Sequence, residues 1–353
     1  MAGLGVLLSV PITAGLVGGR SGLAWSAHLV TGGLLCVGLG LRARLPDTTG
    51  GVVGLVASAW GRLGGQTVTA LYLAGFIVGQ AAIVLTAGQF AAYVVDRPGA
   101  TGVVVGTAIT TVVVAATVAA TVHAVPAAAR HWRIAAAWPV GLALAADPAL
   151  LRGSGLLPAT DVRQFWPAVF LLLFAGVGWE QSAKLAHRVR DTRELVRAVA
   201  LAVAVISGGG YLLAATTASS VGRDATTPWP AAGSAALAVA VATLLATFCI
   251  TNIHTAAGFV RALTRRHPAR QLGQVAVVAT PILVILVAAT HADWRPHELL
   301  AGPAVAVWFI YMLALVSGLW GSGPGLKLAL IAPSVLLLLT AAAAAWSVMG
   351  GDP

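Results

Sequence analysis

One carboxylate in this sequence, Glu180, lies inside a long apolar stretch, where acidic side chains are rare. A charged side chain at the centre of a bilayer costs about 2.5–3.5 kcal/mol on insertion scales, so such a residue normally faces a cavity or a partner. One interpretation is a carboxylate that binds and releases a proton. The other is an ordinary ion pair with Lys184, which follows four residues later on the same helix. The sequence leaves both interpretations open.

Four further polar residues interrupt apolar runs. Asn252, beside Thr251, could order a bound substrate or hydrogen-bond to a neighbouring helix, and both interpretations stay open. His254 is typical of a histidine packed between helices. Gln80 falls in the middle of another apolar stretch and could face the same cavity as Asn252.

The segment 291–298 holds two histidines and two acidic residues, which is a possible metal-binding composition. A polar loop at the membrane surface explains this composition equally well. The sequence contains none of the common zinc-protease, Cys-x-x-Cys, phosphate-loop or serine-hydrolase motifs. We therefore expect no metal, no cofactor and no enzymatic activity.

The composition requires a membrane environment. Of the 353 residues, 58% are hydrophobic and only 9% are charged, and the mean hydropathy is +0.90. Soluble domains carry roughly a quarter of their residues as charges, so this chain could not cover a soluble surface. These values exclude a soluble enzyme, a secreted disulfide scaffold and a DNA-binding domain. The net charge of +10 comes from basic residues in short turns between apolar blocks, so we expect no nucleic-acid partner.

The apolar residues form eleven blocks of the length needed to cross a hydrocarbon core of about 30 Å. Backbone polar groups must be satisfied within lipid, so each block is predicted to be a helix. The predicted fold class is an all-α polytopic membrane protein, with a short amphipathic interfacial segment at 52–62. The blocks are 2–18, 22–41, 66–95, 101–124, 133–150, 165–187, 196–216, 232–262, 272–290, 299–319 and 327–348.

The basic residues predict the orientation. Alternate loops hold 15 of the 21 lysines and arginines, and the positive-inside rule places these loops in the cytoplasm. We therefore expect a multi-pass protein of the cytoplasmic membrane with a cytoplasmic N-terminus.

Two Gly-x-Gly interruptions lie five blocks apart, at residues 3–5 in the first block and 176–178 in the sixth. Many transporters are built from inverted repeats whose first helices are broken near the substrate. This spacing predicts a first repeat at 1–150, a second repeat at 151–320, and an additional C-terminal helix at 321–353. Close helix packing is the alternative explanation for the glycines.

Several stretches together resemble the amino acid–polyamine–organocation family of permeases. They are the run from Phe174 to Glu180, the basic segment 190–197 that follows it, the first block with Pro11, and the loop 44–51. The similarity is strongest to the bacterial branch that exports methionine and branched-chain amino acids. It implies a five-plus-five inverted-repeat core with broken helices 1 and 6.

In that family the two helix breaks hold the substrate. The resemblance implies that backbone N–H groups of Leu4 and Gly5 bind the substrate carboxylate, while carbonyls of Phe174 and Val177 bind its amino group. Phe174 would close over the substrate, and Glu180 matches the family's acidic residue in helix 6. With Asn252 added from its position, the expected substrate-binding residues are Gly3, Leu4, Gly5, Phe174, Gly176, Val177, Gly178 and Asn252.

The expected function is secondary active transport of small neutral or apolar amino acids by alternating access. Glu180 favours proton coupling, and the resemblance favours export. The expected partners are an amino acid, a proton and the lipid bilayer. The chain begins at the predicted break in helix 1, so the alternative is a truncated, non-transporting membrane protein or a partner-dependent subunit.

Overall fold

The protein is described here from a computed structural model. Helices dominate the part of the chain that the structure describes, and this part contains no β-strand. The described residues are 13, 16–17, 20–45, 51–94, 100–120, 163–175, 179–204, 235–264, 271–292, 294, 296–320 and 322–349.

Besides the helical residues at 13, 16–17 and 20, the described residues form ten α-helices and one short 3-10 turn, Ala186–Arg188. In chain order the helices are α1 (Ser21–Ala43), α2 (Gly51–Val94), α3 (Ala100–Ala120), α4 (Phe165–Ala175), α5 (Gln181–Leu185), α6 (192–204), α7 (Ala235–Thr264), α8 (Gln271–His291), α9 (Pro296–Leu319) and α10 (Pro324–Met349).

Six of these helices are long and apolar enough to cross a membrane, as expected of a multi-pass membrane protein: α1, α2, α7, α8, α9 and α10. They correspond to the second, third, eighth, ninth, tenth and eleventh predicted blocks. The fourth and sixth blocks contain the shorter apolar helices Val103–Ala119 and Phe165–Phe174. Block 133–150 and most of block 2–18 lie outside the described residues, so the total of eleven stays a prediction.

Helix α2 corrects one predicted boundary. The sequence predicts a separate interfacial segment at 52–62, followed by a membrane helix from residue 66. The structure joins the two, and the helical path is interrupted only at Gly61 (φ 68°, ψ −168°). Glycine adopts a positive φ at little cost, so two helices meet here at a kink without an intervening loop. The segment is amphipathic, with Val52 and Leu55 buried and Trp60 exposed.

The sixth predicted block is not one continuous helix. Helix α4 ends at Ala175, the chain turns at Trp179 and Glu180, and α5 begins at Gln181. Residues 176–178, which carry the Gly-x-Gly motif, lie outside the described residues. The described turn at Trp179 and Glu180 thus separates α4 from α5, while a break at the Gly-x-Gly motif itself stays a prediction.

The chain divides into two compact units. Unit 1 comprises Met1–Leu71, Arg152–Pro228 and Ala304–Pro353, whereas unit 2 comprises Tyr72–Leu151 and Trp229–Pro303. Within unit 1, α1 packs against α4, α5 and α10, and α10 also packs against α4. Within unit 2, α7 packs against α3 and α8. The predicted repeats 1–150 and 151–320 concern internal symmetry and remain a prediction.

Candidate functional site

The carboxylate of Glu180 is buried in unit 1 and accepts a hydrogen bond from Tyr311. The Tyr311 hydroxyl donates to Glu180 Oε2 at 2.9 Å, and the two residues are only 1% and 5% exposed, respectively. Tyr311 lies on α9, while Glu180 lies in the turn that precedes α5. A hydrogen bond to a charged group contributes about 1.5–3 kcal/mol, which helps to offset the cost of burying the carboxylate.

The turn that carries Glu180 lies level with the middle of α1. The indole of Trp179 packs directly on the backbone of Gly32, where an added Cβ would come within 2.6 Å of Trp179 Cε2. Gly32 is eleven residues from the start of the 23-residue helix α1, which corresponds to a depth of about 17 Å at 1.5 Å per residue. Tyr311 is likewise well inside α9. The turn that carries Glu180 therefore packs against the middle of α1 and not against one of its ends.

Trp179 is fixed in turn by aromatic residues of α1. Its Nε1–H donates to Nε2 of the buried His28 at 3.4 Å. The Trp25 ring meets the His28 ring edge-on, with the centroids 5.8 Å apart and the planes at 89°. His28 thus accepts a hydrogen bond from the indole and helps to fix the position of Trp179, the residue that precedes Glu180.

A second contact ties this turn to α1. The Cys36 thiol donates a hydrogen bond to the backbone carbonyl of Trp179 at 3.2 Å, and Cys36 is buried. His28 and Cys36, about two turns apart on α1, therefore hold the indole and the carbonyl of the same residue. This arrangement fixes the position of Glu180, the next residue along the chain.

Lys184, the alternative partner for Glu180, is exposed on α5. Its methylene carbons lie over Gly51, where an added Cβ would come within 2.6 Å of Lys184 Cγ. Gly51 has φ 69°, a conformation that favours glycine. The Lys184 side chain therefore packs over the start of α2.

The other predicted site residues divide into three groups. Phe174 is buried near the end of α4 in unit 1. Asn252 is half-buried on α7 in unit 2, where the buried Gln80 on α2 has an Oε1 atom without a hydrogen-bond partner among the described residues. The remaining ones lie outside the described residues: Gly3, Leu4, Gly5, Gly176, Val177 and Gly178.

The described residues contain no group of three histidine, cysteine or acidic side chains placed to hold a metal ion, and Asp293 lies outside these residues. In segment 291–298, His291 at the end of α8 and Glu298 at the start of α9 are both exposed.

Tyr311 and Trp25 were not predicted as site residues. Both are aromatic residues with a polar atom inside a membrane-length apolar run, which is a weak signal because such rings usually serve packing. Tyr311 is 131 positions from Glu180, so no local spacing connects the two.

No known family model matches this chain, and no curated protein matches it. The interpretation of the site therefore depends on its geometry and on the sequence motifs.

Proposed function

We propose that this protein is a secondary active transporter of the cytoplasmic membrane. It moves small neutral or apolar amino acids by alternating access, and Glu180 binds and releases the coupled proton. The observation that carries the proposal is the buried Glu180 carboxylate, which follows an interrupted helix and is held by Tyr311.

The Tyr311 hydroxyl suits a carboxylate that changes its protonation state. A phenol is both a donor and an acceptor, whereas an ionised carboxylate only accepts. Tyr311 donates to the ionised form of Glu180 and accepts from the protonated form. The pair can therefore stay hydrogen-bonded in both states.

Three pairs of blocks are grouped as a five-plus-five inverted repeat would require, whereas the fifth block is in unit 2 and most of the tenth is in unit 1. In such a repeat, blocks five apart in sequence are structurally equivalent. The described parts of the second and seventh blocks, α1 and α6, both belong to unit 1. Most of the third block lies in Tyr72–Val94 and the eighth block lies in α7, and both are in unit 2. The fourth block (α3) and the ninth block (α8) are also in unit 2.

The proposed substrate class follows from the side chains near the interruption. Phe174 offers a buried aromatic surface, and the middle of the apolar blocks contains no lysine, no arginine and no second acid to pair with a charged substrate side chain. A neutral, apolar amino acid fits these surroundings. Export as the direction of transport is supported by the sequence resemblance alone.

The direct test is transport by the purified chain in proteoliposomes. We expect uptake or counterflow of labelled leucine or methionine. Labelled arginine and glutamate serve as charged controls and should not be transported. Folding is checked on the same preparation by circular dichroism and by a monodisperse size-exclusion profile. A folded protein that transports none of the four amino acids would contradict the proposal and favour a non-transporting or partner-dependent membrane protein.

A further inference from the structure

A cavity of about 580 Å³ opens in unit 1, apart from the Glu180 site. It contains two guanidinium groups and three aromatic rings. Its lining residues are Arg20, Leu23, Arg163, Phe165, Trp166, Trp346 and Ser347. None of these described lining residues is acidic, and two of them are arginines.

The cavity lies where several helices reach the same edge of unit 1. Arg20 directly precedes α1, Arg163 lies two residues before the start of α4, and Trp346 lies in the last turn of α10. Since α1 and α10 are long enough to span a membrane, their ends lie at the level of the lipid headgroups. The two arginines therefore meet the polar part of one leaflet.

The apolar side of the cavity continues onto the lipid-facing surface. Leu23 is 64% exposed and Trp346 is 76% exposed, although both are large and apolar. Tryptophan is enriched at membrane interfaces, where its ring contacts the upper part of the acyl chains. A ligand in this cavity would thus meet positive charge at one end and apolar surface at the other.

We propose that this cavity binds an anionic phospholipid. The guanidinium groups of Arg20 and Arg163 hold the phosphate, and the acyl chains run along Leu23 and Trp346. A planar guanidinium matches two phosphate oxygens at once, which favours phosphate over a more diffuse anion. The two positive charges disfavour the choline cation of a zwitterionic lipid, and free phosphate makes no use of the rings.

Native mass spectrometry of the full, delipidated chain in detergent tests the proposal. Phosphatidylglycerol and phosphatidylcholine of equal chain length are titrated separately. We expect the wild type to bind one phosphatidylglycerol more tightly than phosphatidylcholine. The double variant R20Q/R163Q should weaken this binding about 30-fold, equivalent to about 2 kcal/mol for two basic residues near an anionic headgroup.

The matched control is R188Q/R193Q, which removes the same charge from two exposed arginines outside the cavity. This variant should retain the tight phosphatidylglycerol site. Equal losses in both double variants would overturn the proposal, because they would show a general charge effect. A wild type without headgroup preference would overturn it as well.

Two further measurements keep the test decisive if R20Q/R163Q does not fold. Trp346→Ala alters only a highly exposed side chain, and it should weaken phosphatidylglycerol binding several-fold without loss of folding. Inorganic phosphate at millimolar concentration should not displace the lipid. Full displacement by phosphate, or unchanged binding in Trp346→Ala, would assign the arginines to a soluble anion and contradict a lipid site.

Discussion

Substitution of Gly32 by alanine perturbs the packing beneath Glu180 through a single methyl group. The new Cβ would lie 2.6 Å from Trp179 Cε2 and 2.7 Å from Trp179 Nε1. Ordinary carbon contacts are about 3.5–4.0 Å, so the indole or α1 must move by roughly 1 Å. Overpacking of this kind costs about 1–3 kcal/mol, and the better helix propensity of alanine returns at most about 1 kcal/mol. We expect a net loss on the order of 1–2 kcal/mol.

Gly22 on the same helix provides the matched control. An alanine Cβ at Gly22 would meet no atom within 4 Å. Gly22→Ala should therefore leave stability unchanged or raise it by up to about 1 kcal/mol. The assay is thermal unfolding of the two variants and the wild type in the same mild detergent, followed by circular dichroism.

The displaced Trp179 also predicts a functional effect, since Glu180 is the next residue. Gly32→Ala should reduce amino acid transport in proteoliposomes at equal protein amount, whereas Gly22→Ala should not. If Gly32→Ala were as stable and as active as Gly22→Ala, the close packing of Trp179 on α1 would be refuted.

Two smaller predictions concern individual hydrogen bonds. Tyr311→Phe removes the donor at 2.9 Å from Glu180 and should lower the free energy of unfolding by about 1–3 kcal/mol, and an unchanged unfolding curve would contradict this bond. Asp191→Ala removes the acceptor for the Glu194 N–H, at 2.8 Å, from a capping pair in which Glu194 Oε2 accepts from the Arg190 N–H at 2.7 Å. It should cost about 1 kcal/mol in the same assay, with Asp191→Asn close to wild type, and equal effects of the two substitutions would argue against capping.

Much of the helical framework could be predicted because a membrane helix must satisfy its own backbone within lipid. The blocks 22–41, 272–290 and 299–319 match α1, α8 and α9 to within a few residues. The joining of segment 52–62 to the next helix was not predicted, because the sequence was expected to start that helix only at residue 66. There Gly61, with its positive φ, joins two helices at a kink.

The site was only half predictable. Glu180 stands out because an acid within an apolar run has few structural explanations. Its surroundings come from tertiary packing: Cys36 contacts the Trp179 carbonyl across 143 positions, and Tyr311 reaches Glu180 across 131. The periodicity of a single sequence cannot predict contacts between residues so far apart in the chain.

Proton movement by the wild type and Glu180→Gln tests the central claim most directly. Proteoliposomes contain a pH-sensitive dye, and a leucine or methionine gradient is imposed across the membrane. Glu298→Gln, which alters an exposed carboxylate at the start of α9, is the control. We predict that the gradient drives a proton flux in the wild type and in Glu298→Gln but not in Glu180→Gln. An undiminished proton flux in Glu180→Gln would contradict the assignment of Glu180 as the proton-binding group.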